Sequence, residues 1–189
     1  MTTWRTFCAV ELSDEVRARL QEHIARLREE FSEAAASWSR VENIHLTLKF
    51  FGNVEIDRVP QISAAATRTT EQFSKFQIEV GNTGVFPRPS RAQVLWIGVS
   101  DPSGKLSALQ KQFDEDCAST GFAKEDRAYH PHLTIARLRK PERRLADTHL
   151  QMKFEPLAVG INDLIVFRSE LSNKGSRYTA ISHHPLPDP

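Results

Sequence analysis

His45-Leu46-Thr47-Leu48 is a short phrase that the chain repeats as His132-Leu133-Thr134-Ile135. In a β-strand, successive side chains point to opposite faces of the sheet. Each phrase therefore places its histidine and threonine on one face and its two aliphatic side chains on the other. Two such strands side by side would bury their aliphatic faces and present two imidazoles and two hydroxyls to one point.

Similar segments precede the two phrases. An apolar strand over 4–12 and an amphipathic helix that begins after Ser13 lead to the first phrase. A strand over 92–99 and a helix over 105–119 lead to the second. The repeated order of strand, helix and motif strand predicts an α+β fold. We expect two pseudo-symmetric lobes, each with an antiparallel sheet, that flank a central cleft with the helices outside.

The remaining segments complete a single bilobal domain over 1–189. Pro-rich residues 184–189 are expected to form a loose tail. The other expected elements are a helix over 57–72, a strand over 76–86, a charged helix over 141–150, and a hairpin of 164–171 with 177–182 across Ser172–Gly175.

Composition excludes several classes of protein. The net charge is +1, from 25 Lys and Arg against 24 Asp and Glu, which excludes a binder held to nucleic acid mainly by a large positive charge. Two cysteines argue against a disulfide framework or a Cys-rich zinc site. The sequence has neither a signal-peptide pattern nor a long apolar run, so we expect a cytoplasmic protein without membrane contact.

Paired imidazoles and hydroxyls suit hydrolysis of a phosphate diester. One histidine takes a proton from water and the other gives a proton to the leaving oxygen, because the imidazole pKa lies near neutrality. Thr47 and Thr134 can donate hydrogen bonds to phosphate oxygens. His183 and His184 have no carboxylate at metal-ligand spacing, so neither a metal nor another cofactor is expected.

Five segments together resemble the two-histidine phosphoesterase superfamily, and within it the RNA 2′,3′-cyclic phosphodiesterases, which are also described as 2′-5′ RNA ligases. The resemblance spans about residues 4 to 181. The matching segments are 5–10, 43–52, 94–98, 131–137, and 167–171 with 175–178.

The resemblance implies metal-independent hydrolysis of a 2′,3′-cyclic phosphate at an RNA end, which yields a 2′-phosphate. It also implies a possible reverse 2′-5′ ligation, an RNA partner such as a tRNA half, and a monomer. In the family pattern His45 is the proton donor and His132 the proton acceptor. The residues alone leave the order of these two roles open, because the motifs are equivalent.

Four further residues are candidates for substrate binding. Lys49 has the same strand parity as His45, which predicts that it points into the cleft. Strict alternation turns Arg137 away from the cleft, and it reaches the phosphate only if the strand ends or bulges first. Tyr129 is a candidate for stacking on a base, and His130 for a contact at the rim.

Two other functions fit the same motifs. The substrate could be a nucleotide or an ADP-ribose cyclic phosphate, because pocket residues rather than the motifs decide this. A non-catalytic module that binds RNA ends is the second alternative. Near-zero net charge and two complete motifs argue against it.

Overall fold

The computed structural model describes residues 2–172 and 175–189, which form two antiparallel sheets and the helices packed on them. The strands are β1 (Thr3–Val10), β2 (Ala36–Trp38), β3 (Leu46–Glu55), β4 (Phe76–Phe86), β5 (Val94–Ser100), β6 (His132–Leu138), β7 (Leu157–Ile161), β8 (Asp163–Ser172) and β9 (Gly175–Pro185). The helices are α1 (Asp14–Glu30), α2 (Val59–Thr70), α3 (Lys105–Ala118) and α4 (Arg143–Gln151).

The strand orders of the two sheets correspond over four strands, and β2 is an additional edge strand of the second sheet. One runs β3-β1-β8-β9 and the other β2-β6-β5-β4-β7, and the neighbouring strands in both are antiparallel. The pair β3-β1 in the first sheet therefore corresponds to β6-β5 in the second. This confirms the predicted pseudo-symmetric pair of lobes, with one histidine motif in each.

Each lobe is covered by helices from both halves of the chain. Helix α3 connects β5 to β6 of the second sheet, yet it packs on α2 and on β3 of the first. Helix α1, which follows β1 of the first sheet, packs on α4, and α4 packs on β4 of the second. One continuous cluster of buried apolar side chains consequently joins the two lobes.

The helix after Ser13 begins as predicted. The Ser13 hydroxyl accepts a hydrogen bond from the Val16 amide at 3.4 Å, and Asp14 and Glu15 lie in the first turn, where the helix dipole favours negative charge. The apolar residues at helical spacing are buried, with Leu20 and Leu27 at 0% and 1% exposure.

Both motif strands contain a bulge directly after the threonine. Thr47 pairs with Ala9, but the next pair is Lys49 with Cys8, so Leu48 is an extra residue. In β6, Thr134 pairs with Trp96 and the next pair is Ala136 with Leu95, so Ile135 is the extra residue. A bulge sets two residues against one, so the side chains beyond it change faces relative to strict alternation.

The prediction that residues 184–189 form a loose tail is wrong. Strand β9 continues to Pro185, the Leu186 amide donates to the Asn162 carbonyl at 2.9 Å, and the Leu186 side chain is 2% exposed. The backbone of Pro187 accepts from the Lys75 amide at 2.9 Å. Burial of one leucine and pairing to β8 hold the segment in place despite its proline content.

Two short strands were not predicted, namely β2 and β7, which are the edge strands of the second sheet. The predicted hairpin of β8 and β9 forms, and residues 173 and 174 of its turn lie outside the described residues. Within 2–172 and 175–189, no helix combines the length and the apolar character needed to cross a bilayer.

Candidate active site

A cleft of about 800 Å³ collects both histidine motifs. His45 and Thr47 of one lobe line it together with His132 and Thr134 of the other. Thus the fold brings together the four residues for which sequence analysis predicted the chemistry. The other lining residues include Ser39, Asn43, Lys49, Phe50, Phe86, Arg127, Tyr129, His130, Arg137 and Tyr178.

Backbone bonds orient both imidazoles. The His132 Nδ1 lies 2.7 Å from the carbonyl oxygen of His130. A carbonyl only accepts, so Nδ1 carries the proton and Nε2 of the neutral ring keeps its lone pair. His45 likewise bonds to the backbone of Asn43, again two residues upstream. The two motifs therefore share one way of holding the ring.

Two hydroxyls connect the motifs across the cleft. The Tyr129 hydroxyl, just before the second motif, donates to the Thr47 carbonyl at 3.2 Å. The Ser39 hydroxyl, just before the first motif, donates to the Thr134 carbonyl at 2.9 Å. Each motif strand is thereby bonded to the segment that leads into the other motif, which fixes the two strands relative to each other.

Aromatic rings surround His45. Phe7 stacks on its imidazole at 4.5 Å between ring centroids, and Tyr178 meets it edge-on at 5.2 Å. This burial lowers the pKa of His45 from 6.5 to about 4, against the opposing effect of the Asn43 backbone bond. His45 is therefore neutral at pH 7 in the free protein.

His132 has a similar environment. Phe86 meets its ring edge-on at 5.1 Å. Burial lowers the pKa of His132 below 6.5, the bond to the His130 backbone opposes this, and the charge of Arg137 adds to the lowering. A bound phosphate anion would favour the protonated form of either imidazole.

The bulges decide where two predicted substrate-binding cations lie. Arg137 lies beyond the bulge of β6, pairs with Val94 and lines the cleft, as it can only if the strand bulges. Lys49 also borders the cleft, but its ammonium group does not have the predicted orientation into it, and contact of Lys49 with substrate stays a prediction. The bulge at Leu48 turns its ammonium group towards the core, where it binds the Asp114 carboxylate and donates to the Ala123 carbonyl at 2.8 Å.

The other two substrate-binding candidates also line the cleft. The Tyr129 ring is half-buried, burial raises the pKa of its hydroxyl, and the hydroxyl is bonded to Thr47. His130 is exposed, and its carbonyl orients His132. Both contacts indicate a positioning role within the protein. Contact of either side chain with substrate stays a prediction.

Three residues of the cleft are not predicted by the sequence pattern, namely Ser39, Phe50 and Tyr178. Ser39 precedes a strand too short to recognise, and Phe50 was hidden because strict alternation assigns it to the core face. Tyr178 lies in a segment quoted for the family resemblance, yet its contact with His45 depends on the pairing of distant strands.

The described part of the chain contains no group of three or more His, Cys, Asp or Glu residues that could hold a metal ion. His183 and His184 lie outside the cleft. The His183 Nδ1 is 2.7 Å from the Asp163 carboxylate, and the two ring nitrogens of His184 bond to the hydroxyls of Thr67 and Ser182.

The chain is similar in sequence to proteins of one known family. The family model of the 2′-5′ RNA ligase superfamily matches residues 16–173. The RNA 2′,3′-cyclic phosphodiesterase of Methanothermobacter thermautotrophicus is 34% identical over 93% of this chain and 95% of that protein. The protein of the same name from Thermotoga maritima is 29% identical over 94% and 92% of the two chains.

Solved structures share the fold. TT0787 of Thermus thermophilus superposes with a TM-score of 0.81 at 24% identity, over 97% of this chain and 98% of that one. Escherichia coli LigT complexed with 3′-AMP superposes with a TM-score of 0.74 at 24% identity, over 98% and 99%. The bilobal arrangement of two sheets around a cleft is common to all three.

Proposed function

This chain belongs to the 2′-5′ RNA ligase superfamily, the two-histidine phosphoesterases, and from that premise we propose that it hydrolyses 2′,3′-cyclic phosphate ends of RNA to 2′-phosphomonoesters. Relatives named RNA 2′,3′-cyclic phosphodiesterase over nearly their whole length support the reaction. The observation that carries the proposal is the meeting of two His-x-Thr units in one cleft, each imidazole held by the backbone two residues upstream.

His132 is the general base of the proposed reaction. Its Nδ1 is held by a carbonyl, so the neutral Nε2 can accept a proton from water as the water oxygen attacks phosphorus. The lowered pKa of this group keeps it neutral at pH 7 in the free protein.

His45 is the general acid. As the bond between phosphorus and O3′ breaks, the imidazolium of His45 donates its proton to O3′, and the phosphate stays on O2′. The pKa of His45 is about 4 in the free protein, and the negative phosphate diester raises it when substrate binds. The substrate thereby promotes protonation of its own acid catalyst.

The other polar groups of the cleft act on the phosphate. Thr47 and Thr134 donate hydrogen bonds to the two non-bridging oxygens, on which charge is redistributed in the transition state. Arg137 supplies a planar cation that suits phosphate geometry. Since two imidazoles already carry both proton transfers, we include metal independence in the proposal.

The same groups can also form a bond. If a 5′-hydroxyl replaces water, His132 removes its proton, the hydroxyl oxygen attacks phosphorus, and His45 protonates O3′. The product is a 2′-5′ phosphodiester, so weak ligation accompanies hydrolysis. Both motifs come from one chain, which supports a monomeric enzyme acting on RNA ends such as those of tRNA halves.

Substitution of each histidine tests the proposal. His45→Ala and His132→Ala should each lower kcat by about 10²–10⁴-fold on an RNA with a 2′,3′-cyclic phosphate, the range for a positioned acid or base. Circular dichroism and the unfolding midpoint should remain close to those of the wild-type protein.

His183→Ala is the matched control, because this imidazole is exposed and bonded to Asp163 outside the cleft. It should retain full activity. Undiminished turnover by either cleft variant would contradict the proposed acid and base.

A further inference from the structure

We propose that Asn43 positions the acid catalyst, since its main chain bonds to the His45 ring and its side chain binds the strand that covers this ring. The inference rests on the proposed function, in which His45 is the general acid, and it makes Asn43 a positioning residue of that reaction. Asn43 precedes His45 by two residues and lines the cleft with it. A substitution can therefore remove the side-chain contact and keep the backbone bond.

The side chain of Asn43 links the first motif to the edge of the first sheet. Its amide nitrogen donates to the Ser176 carbonyl at 2.8 Å. Ser176 lies in β9, and the strand order β3-β1-β8-β9 puts two strands between β9 and the motif strand β3. The Asn43 amide thus supplies a direct bond between β9 and the turn Val41–Asn43, which leads into the motif.

The strand that Asn43 binds carries one of the rings around His45. Tyr178 follows Ser176 by two residues, so both lie on the same face of β9. The Tyr178 ring meets His45 edge-on at 5.2 Å and Phe7 edge-on at 5.0 Å. Phe7 and Phe167 belong to the inner strands β1 and β8, whereas Tyr178 belongs to the edge strand. Cover of His45 by Tyr178 therefore depends most on what holds that edge.

The second lobe is built differently at the corresponding place. His130 precedes His132 by two residues, and its carbonyl holds the His132 ring, but its side chain is exposed. The rings next to His132 are Phe86 and Trp96, whose strands β4 and β5 lie inside the second sheet. Among the described residues, cover by an edge strand is thus a feature of the His45 side.

This difference agrees with the two proposed roles. The base must meet a water molecule, which an open side of the cleft admits. The acid must keep its proton until O3′ leaves, and a ring shielded from bulk water loses its proton to solvent less readily. The strand that Asn43 holds therefore favours His45 as the acid and His132 as the base, an order that the two equivalent motifs leave open.

Few charged or titratable groups face His45. Beside the uncharged rings of Phe7 and Phe167, Tyr178 of β9 presents a phenol. Arg17 of α1 bonds to two carbonyls of the segment before His45, at 2.9 and 3.4 Å, and its charge lowers the pKa of His45 less than burial does. Loss of the aromatic cover should therefore raise this pKa towards 6.5.

NMR titration of the His45 imidazole tests the proposal without any substrate. Asn43→Ala removes the bond to Ser176, so water reaches the ring, and the pKa of His45 should rise from about 4 to about 5 or higher. Tyr178→Ala should have the same effect, whereas Tyr178→Phe keeps the ring and should keep the low pKa. The pKa of His132 should be the same in all of these proteins.

Kinetics show whether the bond serves proton donation. On an RNA with a 2′,3′-cyclic phosphate, Asn43→Ala should lower kcat about tenfold with KM nearly unchanged. In an analogue with sulfur in place of O3′, the bond between phosphorus and sulfur breaks and a thiolate leaves. A thiol has a pKa of about 8.5, so this leaving group needs little help from an acid. Asn43→Ala and His45→Ala should regain most of their loss on the analogue, and His132→Ala should not.

Asn53→Ala is the matched control, because this asparagine of β3 is exposed and lies outside the cleft. It should match wild type in the pKa of His45 and in kcat on both substrates. Asn43→Ser keeps a polar side chain that is too short for the bond, so it serves if Asn43→Ala folds poorly. The proposal is overturned if the His45 pKa stays at about 4 in these variants, or if they lose the same factor in kcat on both substrates.

The titration separates this inference from the proposed function. If wild type hydrolyses neither substrate, the proposed reaction fails, and the pKa of His45 in Asn43→Ala still shows whether Asn43 holds the cover of the ring. If sulfur restores His132→Ala instead of His45→Ala, the acid and the base are exchanged, and Asn43 does not position the acid.

Discussion

The two imidazoles of the cleft are neutral at pH 7 for a physical reason that sequence does not reveal. Both lie against aromatic rings, and burial lowers their pKa values below 6.5, to about 4 for His45. The proposed mechanism needs one protonated and one neutral ring. In that mechanism His45 gains its proton from solution, and the charge of the substrate favours the protonated ring.

This arrangement predicts an acidic pH optimum. A bell-shaped profile of kcat/KM has its maximum midway between the two pKa values of the free enzyme, so the maximum should lie below pH 6.5. Above it, kcat/KM should fall about tenfold per pH unit as the imidazolium of His45 is lost.

The optimum of kcat should lie at higher pH, because the bound phosphate raises the pKa of the acid. Initial rates between pH 4 and 9 measure both profiles. A kcat/KM maximum above pH 7.5 would show that burial does not lower the pKa values of His45 and His132.

Arg137 is the cation of the cleft whose position depends on a bulge. Arg137→Ala should lower kcat/KM about 10- to 100-fold, the effect of losing one charge-assisted hydrogen bond to phosphate. Arg137→Lys should recover part of this loss, because lysine keeps the charge without the planar fork. Arg139→Ala, an exposed arginine two residues further on and outside the cleft, should have little effect.

At the scale of single elements, the bulges of β3 and β6 decide which side chains face the cleft. Alternation predicts the His and Thr positions because these precede the bulge. It fails at Lys49 and Phe50 because one extra residue exchanges their faces. Nothing in Leu48 or Ile135 distinguishes a bulged residue from a regular one. A bulge is a property of the pair of strands, which a single strand's sequence does not contain.

The bulge in β3 also creates a buried ion pair. Lys49 and Asp114 have side-chain exposures of 5% and 12%, and Asp114 further accepts from the Glu125 amide at 3.2 Å. The pair thereby connects β3, α3 and the segment that leads to Tyr129 and His132. It positions the loop on one side of the cleft.

Removal of one partner of the Lys49–Asp114 ion pair should lower the free energy of unfolding. Lys49→Met leaves a buried carboxylate without its cation, so the free energy of unfolding should fall by about 3–5 kcal/mol. The double variant Lys49→Met/Asp114→Leu should lose less. Lys75→Met is the control, since its pair with Asp188 is exposed and should contribute at most ~1 kcal/mol. Urea unfolding measures all three, and equal losses for Lys49→Met and Lys75→Met would contradict this account.

At the scale of the whole molecule, the two lobes share one buried apolar cluster. Helices cover the sheets of both halves, and a buried contact between His23 of α1 and His149 of α4 is part of this packing, with 3.0 Å between Nε2 and Nδ1. His149 also donates to the carbonyls of Gly84 and Trp96, at 3.1 Å each. These rings therefore connect helices to the second sheet.

This contact makes folding sensitive to acid. Burial lowers the pKa of His23 from 6.5 to about 4, so between these values the unfolded chain binds a proton that the folded protein does not. The free energy of unfolding should therefore decrease as the pH falls from 6.5 towards 4. Urea unfolding at pH 7.5 and 5 measures the difference.

His23→Leu should reduce this pH dependence, and His183→Leu, an exposed control, should not. An unchanged difference between the two pH values in His23→Leu would exclude His23 as its source.

The two lobes and the longer helices can be predicted from the sequence, whereas the short edge strand β2 and the pairing of the C-terminal segment cannot. Repetition of the strand, helix and motif order predicts two lobes, and the spacing of apolar residues predicts α1 and α3. The short strand β2 was missed because three residues carry too little pattern, and its pairing with β6 is non-local. Burial of Leu186 likewise depends on tertiary contacts, which the Pro-rich composition of this segment does not predict.

One measurement tests the account as a whole. Purified protein is incubated in EDTA with an RNA that ends in a 2′,3′-cyclic phosphate, and the 2′- and 3′-phosphate products are separated. We predict rapid formation of the 2′-phosphate alone, because in the proposed mechanism His45 protonates O3′ without the help of a metal. A 3′-phosphate product, or activity that disappears in EDTA and returns with a divalent metal, would contradict the mechanism.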